Sequence, residues 1–341
     1  MVDGLFARLS MGPTAANGAS PRHRKLRHAV SIAQQLDVVR TRRTSAALCG
    51  ALGDMAMRLI DPEDRDEFEG FDGPTMILDY LSRITEEQAT LDHAWQTSSM
   101  TGEVAWESYE VVESLVFTIV IICHGSIEET IALQCLELGA VRLLWELYVT
   151  LPPSLEQALQ SVVLSALRNL GSVSPLAGVF PHEIVLECWR LVADSSDEQL
   201  SDLGTELLTN MASHDVALVS PTRERLALLL DRFFTLEGDE DNTYRRVALV
   251  DLLSNLCVDP ALCLLVMYEL DDRKPRRYRR HSGAVYFLDL TECQRDPALR
   301  QSMEALAHNL SWSDPTGKRV IQKLGLSSYM ARFALEPAIN N

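Results

Sequence analysis

Four asparagines carry the most regular chemistry in this chain. They recur in the segments Ala166-Leu167-Arg168-Asn169-Leu170, Leu207-Leu208-Thr209-Asn210-Met211, Leu252-Leu253-Ser254-Asn255-Leu256 and Leu306-Ala307-His308-Asn309-Leu310, with a weaker copy at Ala51-Leu52-Gly53-Asp54-Met55. A carboxamide donates and accepts hydrogen bonds at once, so a row of them can pair with a peptide backbone whatever its side chains are. Four residues before the asparagines stand Ser165, Glu206, Asp251 and Ala305. Glu206 and Asp251 are the two that could draw a basic segment to such a row.

No catalytic constellation accompanies the asparagines. Gly317-Lys318-Arg319 lacks the glycine spacing that lets backbone amides cradle a phosphate, His-Glu-x-x-His is absent, and the eight histidines lack the i, i+4 spacing of a helical metal site. Cys123 and His124 could suggest a nucleophile and its base, but neighbours on a helix point about 100° apart. Asn309-Leu310-Ser311 matches a glycosylation acceptor, yet it falls inside a repeat segment. No catalytic residue, metal or cofactor is expected, and a helical-repeat enzyme without a recognisable motif is the competing class.

The elements that position the row are helices. After residue 44 apolar residues recur at helical spacing, while β-branched runs and hairpin signals are few, so the fold class is all-α. The asparagines lie 41, 45 and 54 residues apart, against a period of ~40 to 47 for helical repeats. An insert near 271 to 283 accounts for the long interval. At positions three and two before each asparagine, and one after it, apolar residues form a stripe that no repeat can bury alone, so stacking must bury it. The interval from Asp54 to Asn169 leaves room for a degenerate copy running from Glu113 through Leu144. Tyr80, Trp145 and Trp189 are expected to fill gaps between repeats.

These segments resemble the armadillo superfamily, in which a long third helix carries a small-Leu-x-Asn-Leu segment and a Gly-Ala or Gly-Pro pair opens the next helix. Gly73-Pro74-Thr75-Met76-Ile77-Leu78 and Gly139-Ala140-Val141-Arg142-Leu143-Leu144 match that second element, and Leu324-Gly325-Leu326 matches it loosely. The missing Gly-Ala pairs after Asn169 and Asn210 leave HEAT-like repeats open. The resemblance covers roughly residues 44 to 336 and implies a right-handed α-solenoid of about six armadillo-like repeats. It also implies that Asn169, Asn210, Asn255 and Asn309 line a concave groove and bind an extended peptide, with Asp54 a poor fifth; equally, they could hold their own repeat's backbone together. The tryptophan that nuclear-import adaptors carry four residues before the asparagine is missing. The final unit, Met303 to Met330, is faintly similar to armadillo regions of ARID-bearing SWI/SNF chromatin-remodeller subunits, which makes a nuclear chromatin-remodelling complex subunit the second reading.

Charge divides the chain. Its 341 residues carry −17, with 47% hydrophobic and 23% charged residues, enough to bury a core and too acidic to coat nucleic acid along the whole length. Residues 1 to 43 hold eight basic and two acidic side chains, leaving −23 on the remainder. Two basic clusters stand out. Arg22, Arg24, Lys25 and Arg27 form one, and Arg273, Lys274, Arg276, Arg277, Arg279 and Arg280 the other. Each reads as a basic surface loop or a nuclear-localisation-like signal, and direct nucleic-acid contact is expected only there.

Seven cysteines without a C-x-x-C pair read as reduced thiols of an intracellular protein, and no apolar stretch approaches the ~18 residues of a membrane span. The expected organisation is a loosely ordered basic arm over 1–43, a solenoid over 44–336 with inserts near 86–110 and 271–283, and a tail over 337–341. The expected function is that of a non-enzymatic scaffold binding a protein partner or a basic extended peptide, as a subunit of a larger assembly. Nucleus or cytoplasm is the expected compartment; the Arg- and Ser-rich start makes a mitochondrial address the lesser reading.

Overall fold

The computed structural model describes residues 31–41, 45–59, 61–95, 118–119, 129–150, 156–173, 179–236, 242–280 and 283–312. Among them are 14 α-helices, two short 3-10 turns and no strand. Outside the described residues lie the cluster Arg22 to Arg27, residues 113–117 and 120–128 of the degenerate copy, residues 96–110 of the insert placed at 86–110, and everything after Trp312. Residues 86–95 of that insert are instead the continuation of the helix that opens at Gly73.

The first described helix, α1 (Ile32–Arg40), falls inside the stretch read from sequence as a loosely ordered arm, and the boundary expected at residue 44 moves back. Its start is fixed by a capping box: Ser31 Oγ accepts from the Gln34 backbone N–H, and Gln34 Oε1 accepts from that of Ser31. Ile32, Leu36 and Val39, spaced four and three residues apart, form a buried stripe. That stripe packs on α2 (Ser45–Arg58), α3 (Pro62–Gly70) and α4 (Gly73–Trp95). α4 begins at a glycine because a Cβ at position 73 would run into the Phe68 ring.

Next come α5 (Glu129–Glu137) and α6 (Ala140–Thr150). The corner between them is Gly139, whose φ of +82° is left-handed and whose N–H donates to the Leu136 carbonyl. Only glycine takes that conformation without a Cβ penalty, which is the physical content of the Gly-Ala pair.

The remaining helices are α7 (Glu156–Leu170), α8 (His182–Asp194), α9 (Glu198–His214), α10 (Arg223–Thr235), α11 (Thr243–Leu256), α12 (Pro260–Arg273), α13 (Gly283–Cys293) and α14 (Pro297–Trp312). The asparagine-bearing helices α7, α9, α11 and α14 lie side by side in chain order as one layer. Behind them, α8 backs α9, α10 backs α11, and α12 with α13 backs α14. The result is an all-α solenoid. Several helix starts are set by local chemistry: Asp197, Thr222 and Asp259 accept from backbone N–H groups of α9, α10 and α12, and Pro260 opens α12.

The repeating stripe is buried as the sequence requires. Leu207, Leu208, Leu252, Leu253, Leu256 and Leu306 are wholly inaccessible, each burial stabilising by ~1.5 to 3 kcal/mol relative to exposure. Trp189 is buried with its indole N–H on the Val219 carbonyl at 2.9 Å. Trp145 stacks on Tyr148 with ring centroids 5.3 Å apart, and Tyr80 packs at the edge of the same core. Among the described residues, no helix is long and apolar enough to cross a membrane.

Candidate ligand-binding face

The asparagine amides are engaged by the protein itself, in a regular way. Asn210 Nδ2 donates to the Arg168 carbonyl at 2.9 Å, Asn255 Nδ2 to the Thr209 carbonyl at 3.0 Å, and Asn309 Nδ2 to the Ser254 carbonyl at 2.8 Å. Each acceptor is the residue just before the asparagine of the preceding repeat. Arg168 and Ser254 lie in the last turns of α7 and α11, where helix carbonyls have no intrahelical donor. The N–H groups four residues further on donate instead to the Asn169 and Asn255 carbonyls. The next repeat's side chain therefore completes the end of the helix before it. Thr209 differs, because α9 runs on to His214 and the carbonyl takes the amide as a second donor.

A primary amide has two N–H bonds and a carbonyl oxygen with two lone pairs. The rungs use one N–H of each; Asn309 also lies 3.1 Å from the Ser254 hydroxyl. Asn210, Asn255 and Asn309 are half-buried, and their Oδ1 atoms accept no hydrogen bond from any described residue. Asn169 is different. It is 5% exposed, and its Oδ1 accepts from Arg168 Nε and Nη2 at 3.2 and 3.1 Å.

Arg168 also reaches Glu206 Oε2 at 2.6 Å, so one guanidinium clasps α7 to α9. The Glu206 charge thereby has an internal partner. Asp251 lies near Ser302 of the next helix in the row, and burial pushes its carboxyl above the usual range. Further along α9, Asp202 pairs with Arg245 at 3.1 Å, and Glu198 with the same guanidinium at 2.6 Å. Sequence reasoning missed Arg168 and Arg245 because their partners lie a repeat away. For Arg168 the available signal was a basic residue beside an asparagine, with an acid four residues before the next asparagine.

Two cavities open at opposite ends of the seam between α9 and α11. One, of about 470 Å³, lies beside Asn255 and is lined by Ser213, His214, Val216, Val258 and Pro260. The other, of about 340 Å³, is bounded by Ser201, Asp202, Arg232, Arg245 and Ala248.

The second basic cluster divides in two. Arg273, at the end of α12, bonds Asp231 at 2.8 Å and Glu269 at 2.6 Å, and Lys274 bonds Asp271 at 2.6 Å. Arg276, Arg277, Arg279 and Arg280 are exposed on the connection to α13, which carries a 3-10 turn over Arg276–Tyr278. No metal-binding group of three His, Cys, Asp or Glu side chains occurs among the described residues.

No family model and no curated protein matches the chain. Solved structures do. The chain is similar to an engineered protein with a TM-score of 0.55 and 14% identity, over 84% of this chain and 97% of the other. It is similar to a designed armadillo repeat protein with a TM-score of 0.54 and 12% identity, over 82% of this chain and 100% of the other. A designed armadillo repeat protein in complex with the peptide (KR)4 aligns with a TM-score of 0.51 and 14% identity, over 82% of this chain and 97% of that one. The fold is that of an armadillo-type helical repeat.

Proposed function

We propose that the chain binds an extended protein segment across the row of Asn210, Asn255 and Asn309. The observation that carries this reading is the division of labour within each amide: one N–H locks the repeats together, while Oδ1 stays on a half-buried face. A fixed acceptor on a rigid helix costs little entropy to engage, so a peptide N–H gains a hydrogen bond at low ordering cost. The cavity beside Asn255 gives such a segment a place for a side chain, with Val216 and Val258 supplying apolar contact. The designed neighbour that holds (KR)4 supports the same use of the fold. Because Glu206 is paired with Arg168, and Asp251 is half-buried, we assign recognition to the backbone and the cavity more than to basic charge.

Selection of a displayed random peptide library on the full chain, followed by calorimetry of the enriched peptides, tests this. Peptides should weaken by about tenfold, near 1.4 kcal/mol, when Asn210→Ala and Asn255→Ala are combined in a variant still folded by circular dichroism. Equal binding by that variant would move the site elsewhere.

A further inference from the structure

We infer that the turn at Arg276 to Arg280 is a second docking site, for a protein segment dense in anionic side chains. Three residues make one turn of a 3-10 helix, so side chains three apart lie on the same edge. The turn covers Arg276–Tyr278 and Arg279 continues it with helical backbone angles, so Arg276 and Arg279 share one edge while Arg277 and Tyr278 take the other two. Tyr278 turns inward: its ring centroid lies 5.0 Å from that of Tyr286, which in turn stacks on Phe234 at 5.9 Å. The Asp289 carboxylate lies near the Tyr278 hydroxyl and pushes its pKa above the usual range. Asp271 closes the base of the turn, accepting from Lys274 Nζ at 2.6 Å and from the Gly283 N–H at 2.9 Å.

The turn is thus anchored by aromatic packing and two hydrogen bonds, while four guanidinium groups project from it. None of the four makes a hydrogen bond or ion pair with another described residue; Arg277 rests over the Tyr278 ring at 5.2 Å. Like charges held side by side repel, and this chain has carboxylates in excess that could have been placed against them. Arg273 and Lys274, a few residues earlier, are paired in just that way. The split leaves a compact +4 surface whose planar forks suit carboxylate or phosphate oxygens.

The size of the surface selects among anionic partners. Nucleic acid is held by a track of many phosphate contacts, and here the patch spans five residues, with Asp271, Asp272 and Asp289 close by in a body carrying −23. A short run of acidic or phosphorylated side chains fits this small patch. The site stands on the α12–α13 connection, within the layer behind the asparagine row, so it does not depend on the peptide reading above.

Fluorescence anisotropy with the full chain decides the matter. The labelled probes are a peptide alternating Glu and Ser, its phosphoserine form, its Gln/Ser counterpart and a duplex DNA. At least one anionic peptide should bind, the better one distinguishing carboxylate from phosphate as the source. Combining Arg276→Gln, Arg277→Gln, Arg279→Gln and Arg280→Gln should weaken it by about tenfold or more, with loss of its salt dependence. The variant leaves Tyr278, Lys274 and Gly283 in place, and its melting temperature confirms the fold. Combining Asn210→Ala and Asn255→Ala should leave this binding unchanged. Undiminished binding by the quadruple variant, no preference over the Gln/Ser peptide, or tighter binding of DNA than of either anionic peptide would overturn the assignment.

Discussion

The side-chain amide of Asn255 donates to the Thr209 carbonyl at 3.0 Å, joining two residues 46 positions apart in the chain. The same step from one repeat to the one before is made by Asn210 and by Asn309. Removal of the side chain should therefore be felt in stability before any ligand is added. Asn309→Ala should cost ~1 to 3 kcal/mol, because it strands a helix-end carbonyl at Ser254. Asn255→Ala should cost less, near ~1 kcal/mol, since Thr209 keeps its helical donor. Urea titrations that rank the two variants the other way would contradict this account.

Leu208 and Leu253 are fully buried between stacked helices. Leu208→Ala and Leu253→Ala should each lower stability by ~2 to 5 kcal/mol, the transfer and cavity terms adding. Ser213→Ala, at an exposed position on α9, should stay within ~0.5 kcal/mol. Denaturant midpoints at constant slope provide the comparison.

Glu269 ties the layer behind the row together, accepting from Arg223 and Arg273 at 2.6 Å each. Burial pushes its carboxyl up, but the hydrogen bonds from Arg273 and Arg223 outweigh burial and hold it below the ordinary value of 4.5. A depressed carboxyl means that the unfolded chain binds the proton more readily than the folded one. Its contribution is complete above the ordinary value and is lost as pH falls through the folded one. The gap in melting temperature between the native chain and Glu269→Gln should therefore be widest near neutrality and shrink in acid. A gap that is constant with pH would remove Glu269 from this role.

Gly283 starts α13 so close to α12 that a Cβ would overlap the backbone of Leu270 and Asp271. Gly283→Ala should cost ~1 to 3 kcal/mol through overpacking against atoms that cannot rotate away. Thermal melts should show that loss, whereas Gly53→Ala, where a Cβ meets nothing within 4 Å, should be neutral or mildly stabilising because alanine favours helix.

Much of this architecture is legible in the sequence. The asparagine segments and their apolar neighbours locate α7, α9, α11 and α14, because burial of a repeating stripe leaves a repeating pattern. Gly139 and Gly73 mark corners for the same reason, each serving a backbone or packing need that few residues satisfy. The partners of the row were not legible. Arg168, Thr209 and Ser254 contribute carbonyl oxygens, which every residue possesses and no residue type announces. Nor could the sequence divide the second basic cluster, since the acids that claim Arg273 include Asp231, 42 residues away. The helix α1 was hidden because its stripe is only nine residues long and follows a strongly basic stretch.

Because each rung joins a side chain to a main-chain oxygen, the arrangement is indifferent to the identity of the residue that receives it. A unit copied by gene duplication brings its own donor and finds an acceptor on whatever helix precedes it; a deleted unit leaves none behind that its successor cannot replace. Such a chain can lengthen or shorten by whole repeats while its seams stay sealed, and the residues around the asparagines are left free to diverge toward new ligands.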